Sequence, residues 1–339
     1  MTAQLAAAFR LAAGLGAALA AMLAAAAPAA AQTFAGRAEV GAFIAEMVER
    51  HAFARPDLER LFAAARYQES VLTLITPLPP GTRSWRVYRA NLVNPRRVQG
   101  GVQFWRAHAA VLDRAARTFG VPPEIVVAII GIETEYGRNQ GGFRVLDALA
   151  TLAFDYPRRG DYFRAELEQY LLLVRESRVD AAALKGSFAG AIGIPQFMPG
   201  SIRRFGVDFD GDGRRDLRGS AADAIGSVAN FLSEHGWVSG APVAAAARVE
   251  GEGYREFVDG GVVPMYRADV LRAAAVAFDE SIPADAPGVL IELESPDEPP
   301  VYLVGLQNFY ALTRYNRSSF YAAAVVELAE ALRAANGAR

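Results

Sequence analysis

The stretch that most restricts the fold runs from Gly120 to Gly137, GVPPEIVVAIIGIETEYG, an apolar helix that ends in carboxylates. Pro122, Pro123 and Glu124 read as its start, because proline preorganises a first turn and an acid suits the positive end of the helix dipole. Gly137 reads as its stop. Ile125, Val126, Val127, Ala128, Ile129, Ile130 and Ile132 leave no polar face between them, so the segment must be buried on nearly all sides and the chain must build a core around it. Glu133 and Glu135 close the run. A glutamate at such an edge between core and cleft is expected to have a raised pKa and to hold a proton near neutrality, as a general acid must. Two residues apart on a helix, the pair point to nearly opposite sides and cannot form a facing acid and base. The segment by itself leaves open a second reading, in which both are solvated glutamates of a last turn.

The rest of the chain has the means to supply such a core. Its 339 residues are 52% hydrophobic and 21% charged, enough for one large domain or two to three smaller ones. Residues 1–31 differ: Arg10 is their one charge, an Ala/Leu/Gly run follows, and Ala29-Ala30-Ala31 precedes Gln32. This predicts a secretory signal peptide that is removed, and therefore a soluble exported protein with no membrane anchor after cleavage. Gly14, Gly16 and Pro28 fit a membrane-spanning helix less well. No cysteine is present, which excludes disulfides, thiolate metal sites, cysteine nucleophiles and a lipoprotein cysteine. A formal net charge of −2 carries no nucleic-acid footprint.

Helical spacing of Val40, Phe43, Ile44, Met47 and Val48, then of Leu58, Leu61 and Phe62, predicts a helical segment up to about residue 116. The run Thr76-Pro77-Leu78-Pro79-Pro80-Gly81 interrupts it. The aromatic and basic patch Trp85-Arg86-Val87-Tyr88-Arg89 comes next, suited either to stacking Tyr88 on sugars or bases or to plain packing, and Val102, Trp105, Val111 and Leu112 predict one more helix. The glycine turn at Gly141-Gly142 lacks the lysine of a phosphate loop. Helices are predicted over Val145–Phe154 and Tyr162–Val174, with Arg158 and Arg159 at the interruption, placed for a polar ligand or merely solvated. In Ser187 to Pro199, small residues let a ligand approach closely, and the lone amide of Gln196 needs a partner, either a sugar group or a backbone group. Asp208, Asp210 and Asp212, with Gly213 at the sixth place and the Arg214 backbone carbonyl at the seventh, have the spacing of an EF-hand calcium loop. Position twelve is Gly219, so Asp216 or Asp223 is left to close the shell. A helix follows from Ala221 to His235. Short runs at Val243–Val249, Val289–Leu293 and Val301–Leu306 predict a small β-rich insertion, and a last helix runs from Ser318 to Ala335. Tyr315, Asn316 and Tyr321 gather polar tips near its start, although aromatic packing explains them equally. Neither HExxH nor GxSxG is present, which argues against zinc and serine hydrolysis.

Taken together, IGIETEYG, the Tyr156-Pro157-Arg158-Arg159 step, SFAGAIGIPQFMP, DFDGDGRRDL, DAIGSVANFL and NFYALTRYN resemble the membrane-bound lytic murein transglycosylase B family over nearly the whole mature chain. The resemblance implies a mainly α fold with a small β insertion (α+β): a helical domain over 32–116, a lysozyme-like core over 117–239 and 304–339, and a β-rich domain over 240–303. It implies cleavage of the β-1,4 bond between N-acetylmuramic acid and N-acetylglucosamine in peptidoglycan, leaving 1,6-anhydromuramic ends. It selects Glu133 over Glu135 as the single acid/base, and suggests cleft roles for Ser187, Gln196, Arg158, Arg159, Tyr315, Asn316 and Tyr321, with Tyr88 as an aromatic substrate contact. Structural calcium is implied at the Asp208 loop, and no cofactor for catalysis. The implied setting is the periplasm, as a monomer acting on glycan strands, with cell-wall synthesis or division proteins as partners. Phe231 departs from the pattern, standing where a tyrosine is common. Two competing expectations are a hydrolytic muramidase and a non-catalytic, calcium-stabilised peptidoglycan-binding protein.

Overall fold

The computed structural model describes residues 33–77, 82–258, 260–296 and 298–337. The expected signal peptide at 1–31 lies outside them. The chain divides into two compact units that meet in sequence between Tyr67 and Gln68. In the first unit, α1 (Ala38–His51) buries Val40, Phe43, Ile44 and Met47, and α2 (Arg55–Ala64) answers with Leu58 and Phe62. Phe43 and Phe62 meet edge to face at 5.8 Å, which ties the two apolar stripes together. Ala52 in the left-handed region ends α1 and turns the chain into α2.

The second unit begins with α3 (Glu69–Ile75) and α4 (Trp85–Leu92). The aromatic and basic patch is thus a helix, capped where the Ser84 hydroxyl accepts from the Val87 amide. Where one helix was expected there are two, α5 (Pro95–Ala107) and α6 (Ala109–Phe119), broken at His108. Then comes α7 (Pro123–Thr134), with Pro122 at its cap and Ile125 to Gly131 all buried. Its stop is three residues earlier than Gly137. Glu135, Tyr136 and Gly137 are successively left-handed, at φ 49°, 65° and 85°. The reason is a long-range fit: Tyr136 lies in a slot where a methyl group on Gly101 or Gly131 would come within 2.5 Å or 2.6 Å of its hydroxyl. That hydroxyl donates to the Arg97 carbonyl at 2.7 Å.

The two-residue strand β1 (Phe143–Arg144) leads into α8 (Val145–Asp155), and α9 (Gly160–Ser177) packs back on α8. β1 pairs with β2 (Lys185–Gly186), fixing the start of the Ser187 loop, which ends in α10 (Pro199–Phe205). α11 (Ala221–Glu234), capped by the Ser220 hydroxyl, packs on α6 and α7. A five-stranded antiparallel sheet follows, formed by β3 (Ala244–Val249), β4 (Tyr266–Arg267), β5 (Val276–Ala277), β6 (Pro287–Ser295) and β7 (Glu298–Gly305) in the order β4-β6-β7-β3-β5. Its small core joins Leu290 and Val304 to Leu271 on α12 (Ala268–Ala273). Finally α13 (Gln307–Tyr315) and α14 (Ser319–Gly337) bring the chain back, with α14 packed on α7, α5 and α4. This return sets Tyr321 against the end of the buried helix. The fold is mainly α with a small sheet. Helices α4 to α6 pack on α7, α11 or α14. Among the described residues no single helix is long and apolar enough to cross a membrane.

Candidate active site

Glu133 occupies the last turn of α7 and keeps a little accessible surface, so its carboxyl is stripped of most water yet reachable. Burial pushes its pKa up to about 7, against the opposing effect of one hydrogen bond, in which the Tyr321 hydroxyl donates to Oε1 at 2.8 Å. The sequence expected such a carboxyl at a cleft edge. Glu135 is placed quite differently. Two residues on, at the left-handed cap, it turns to Arg96 at 3.4 Å and Arg97 at 3.8 Å, among cations rather than tyrosines. A facing pair of carboxylates is not formed.

Around Glu133 stand three phenols. Tyr321 is buried at the start of α14, and its ring lies nearly parallel to that of Tyr315, with centroids 6.2 Å apart. Tyr315 in turn donates to the Pro195 carbonyl, which ties α13 to the Ser187–Pro199 loop. Tyr88, on α4, stacks with Trp85 and meets Phe320 edge to face at 5.7 Å. All three phenols have raised pKa values, from burial first and the nearby Glu133 carboxylate second, so they stay protonated and able to donate. An acid walled by aromatic faces and hydroxyl donors suits a sugar, whose ring stacks and whose hydroxyls pair.

The remaining expected cleft residues are less uniform. Gln196 sits in the left-handed region at φ 51° and donates from Nε2 to the carbonyls of Gly193 at 2.9 Å and Gln140 at 3.3 Å, so its amide nitrogen has backbone partners. Ser187 accepts from the amides of Ala191 at 3.0 Å and Ala189 at 3.3 Å, shaping its own turn. Asn316, Arg158 and Arg159 are exposed, and the Arg159 guanidinium lies 4.3 Å over the Tyr162 ring. Phe231 fills a buried aromatic cluster with Phe197, Phe205 and Tyr315, where it brings no hydroxyl. Thr134 and Phe320 also belong to this region. Thr134 is buried and donates to the Ile194 carbonyl at 2.8 Å while accepting from the Gly137 amide at 2.9 Å, which locks the residue beside Glu133 to the loop. Its place between two glutamates in a helix end was the available signal. Phe320 had none, since an aromatic at a helix start reads as core.

At the acidic loop, carboxylate oxygens of Asp208, Asp210 and Asp212 converge within 4.8 Å, a hard-oxygen donor set that fits calcium. Asp208 accepts from the amides of Gly211, Asp212 and Gly213, and the Arg214 amide donates to Asp212, so the loop is shaped around its acids. A hydrogen bond from the Ser220 hydroxyl, above all, holds the Asp210 carboxyl below its usual range. Asp223 is buried and takes the amides of Phe209 at 2.7 Å, Asp210 at 3.3 Å and Asp216 at 2.8 Å, so it staples the loop to α11. Asp216 likewise spends Oδ1 on the amides of Arg218 and Gly219.

Comparison with known proteins gives the family. The transglycosylase SLT domain pattern matches residues 35–330. Membrane-bound lytic murein transglycosylase B of Escherichia coli (strain K12) is 42% identical over 308 residues, covering 88% of this chain and 84% of that relative. Among solved structures, the soluble lytic transglycosylase SltB1 from Pseudomonas aeruginosa superposes with a TM-score of 0.83 at 44% identity, covering 88% of this chain and all of that one. The Escherichia coli lytic transglycosylase Slt35, solved in complex with calcium, superposes at 0.81 with 42% identity, covering 89% of this chain and 95% of that one. With the domain pattern and these relatives spanning most of its length, the chain belongs to the transglycosylase SLT domain family.

Proposed function

We propose that Glu133 is the single acid/base with which this chain, a peptidoglycan lytic transglycosylase, opens the β-1,4 bond between N-acetylmuramic acid and N-acetylglucosamine. Glu133 enters protonated, which its elevated pKa allows near neutrality, and delivers that proton to the glycosidic oxygen as the bond to C1 breaks. It is then a carboxylate. As such it takes the proton of the muramic C6 hydroxyl while that oxygen bonds to C1, closing the 1,6-anhydro ring and returning Glu133 to its starting state. No water is consumed. One carboxylate suffices because the nucleophile belongs to the substrate, whereas ordinary glycosidases use two flanking acids.

The observation that carries this reading is the hydrogen bond from Tyr321 to a desolvated Glu133. Tyr321 steadies the charged form between the two proton transfers, and Tyr88 and Tyr315 supply the aromatic wall for the glycan. Gln196 Oε1, Ser187, Asn316, Arg158 and Arg159 belong to the same proposal as outer substrate contacts. Calcium at Asp208, Asp210 and Asp212 would brace the loop behind the cleft and takes no part in the bond breaking. Export to the periplasm after signal cleavage, monomeric action, cell-wall synthesis or division partners and the three-domain division complete the proposal. The Glu133→Gln variant tests it: the variant should release no soluble muropeptides from purified murein while keeping its circular dichroism spectrum. Undiminished release would remove Glu133 from its role.

A further inference from the structure

The turn that follows Glu133 is costly to form. α7 ends with the Glu135 amide donating to the Gly131 carbonyl at 3.1 Å and the Tyr136 amide to the Ile130 carbonyl at 3.3 Å, a pattern that normally places glycine at the left-handed position. Here that position is Glu135, and Tyr136 after it is left-handed as well, at φ 49° and 65°. A side chain crowds such a backbone, which persists only where the surroundings overdetermine it. Those surroundings converge on Arg97.

Arg97 lies in the first turn of α5, with its side chain 10% exposed. Its Nη1 donates to the Gly131 carbonyl in the last turn of α7, and its Nη2 stands 3.8 Å from the Glu135 carboxylate. Its own carbonyl accepts from the Tyr136 hydroxyl at 2.7 Å, and its amide donates to the Asn94 side chain at 3.0 Å. One residue thus grips the chain on both sides of Glu133, at Gly131 before it and at Glu135 and Tyr136 after it. Stability alone does not account for an arginine in this place. It stands at the positive end of α5, where a cation is disfavoured, and its buried Nε has no hydrogen-bond partner. An apolar side chain of similar volume would serve the packing as well as a desolvated guanidinium. On the other flank the Thr134 hydroxyl donates to the Ile194 carbonyl at 2.8 Å. Glu133 lies between these two anchors, and its carboxyl meets the Tyr321 hydroxyl at 2.8 Å.

We propose that Arg97 is a positioning residue for Glu133, a role that rests on the transglycosylase reading above. By fixing Gly131 and the left-handed turn, it holds the carboxyl where one proton can pass to the glycosidic oxygen and another be taken from the C6 hydroxyl. It acts through the α7 backbone. Positioning bears on the bond-breaking step, whereas the aromatic wall binds the glycan, so loss of the anchor lowers kcat and leaves KM in place.

The experiment measures initial rates of muropeptide release against the concentration of soluble glycan strands, with the melting temperature of each protein recorded. Arg97→Met keeps the aliphatic length without a donor, and Arg97→Lys keeps the charge without the fork that reaches both Gly131 and Glu135. Leu290→Ala, which opens a cavity in the small sheet core, is the destabilised reference and should keep its kcat. Since a misplacement of about 1 Å costs on the order of a hundredfold, kcat should fall about thirty- to a hundredfold in Arg97→Met and about three- to tenfold in Arg97→Lys, with KM within about twofold of wild type in both. Wild-type kcat in folded Arg97→Met would overturn the assignment. So would a loss of kcat matched by Leu290→Ala, or a rise in KM as large as the fall in kcat, either of which would make Arg97 a general structural residue. If the methionine variant does not fold, the lysine variant decides by itself: reduced kcat at constant KM supports the role, and wild-type kcat refutes it. Glu133→Gln is run in parallel, and undiminished activity there would remove Glu133 from its role whatever the arginine variants do.

Discussion

Replacing Glu133 by glutamine should make the protein more stable above neutrality, even as it stops the chemistry. An acid whose folded pKa lies above its unfolded one is favoured in its neutral form by the fold. Below the ordinary value of 4.5 both states are protonated and burial of the carboxyl carries no electrostatic cost; as pH rises towards 7 the unfolded chain ionises first, and folding is progressively opposed. Moving from 4.5 to about 7, at about 1.4 kcal/mol per pH unit, gives a penalty of roughly 3.5 kcal/mol that is complete above pH 7. Glutamine has the same shape and no charge, and Tyr321 keeps an oxygen to donate to. Urea unfolding of both proteins across the range from about pH 4 to 9 should therefore show a stability difference near zero at the acid end, growing with pH in favour of the variant. A difference that stays flat with pH, or one that favours glutamate at alkaline pH, would mean that Glu133 is well solvated and that its proton is not held by burial.

Tyr321→Phe removes the one hydrogen bond that lowers the Glu133 pKa, so the alkaline limb of the kcat profile should move upward by about one to two pH units, the equivalent of a charge-assisted bond; an unmoved limb in the pH–rate profile would contradict the contact. Asp223→Ala leaves three backbone amides without their acceptor and should lower stability by about 3 kcal/mol or more, read as a shift in the urea midpoint, while a loss below 1 kcal/mol would refute the stapling role. In chelator-treated protein, calcium at about a hundred times its dissociation constant should add about 2.7 kcal/mol, seen as a rise in Tm, and Asp212→Ala should abolish that rise.

How far the chain could be read in advance depended on whether the deciding contacts were local. The buried helix was plain because seven aliphatics without a polar face admit little else, and its proline start is a local signal. Its true end was not plain. The stop at Thr134 is dictated by Tyr136 entering a slot made partly by glycines on α5, some thirty residues earlier, which no local pattern reports. α4 was hidden by the proline run before it, and β4 and β5, two residues each, are too short to carry alternation. β3, β6 and β7 were visible because their apolar runs are longer. At the site, the apolar setting of Glu133 drew attention to a carboxyl before any resemblance was invoked, but choosing between it and Glu135 required the family likeness. The acidic loop shows the limit most clearly. Spacing identifies which residues carry carboxylates, whereas the direction each one faces depends on where α11 packs, and that turned Asp223 inward to the backbone.

The proposed chemistry is a proton that shuttles through one glutamate while the sugar supplies its own nucleophile. Mass spectrometry of the fragments released from purified murein addresses this directly. Muropeptides ending in 1,6-anhydromuramic acid are expected, with none of the corresponding reducing ends. Fragments heavier by about 18 Da, the mass of one water, would show that water had entered the reaction and would contradict it.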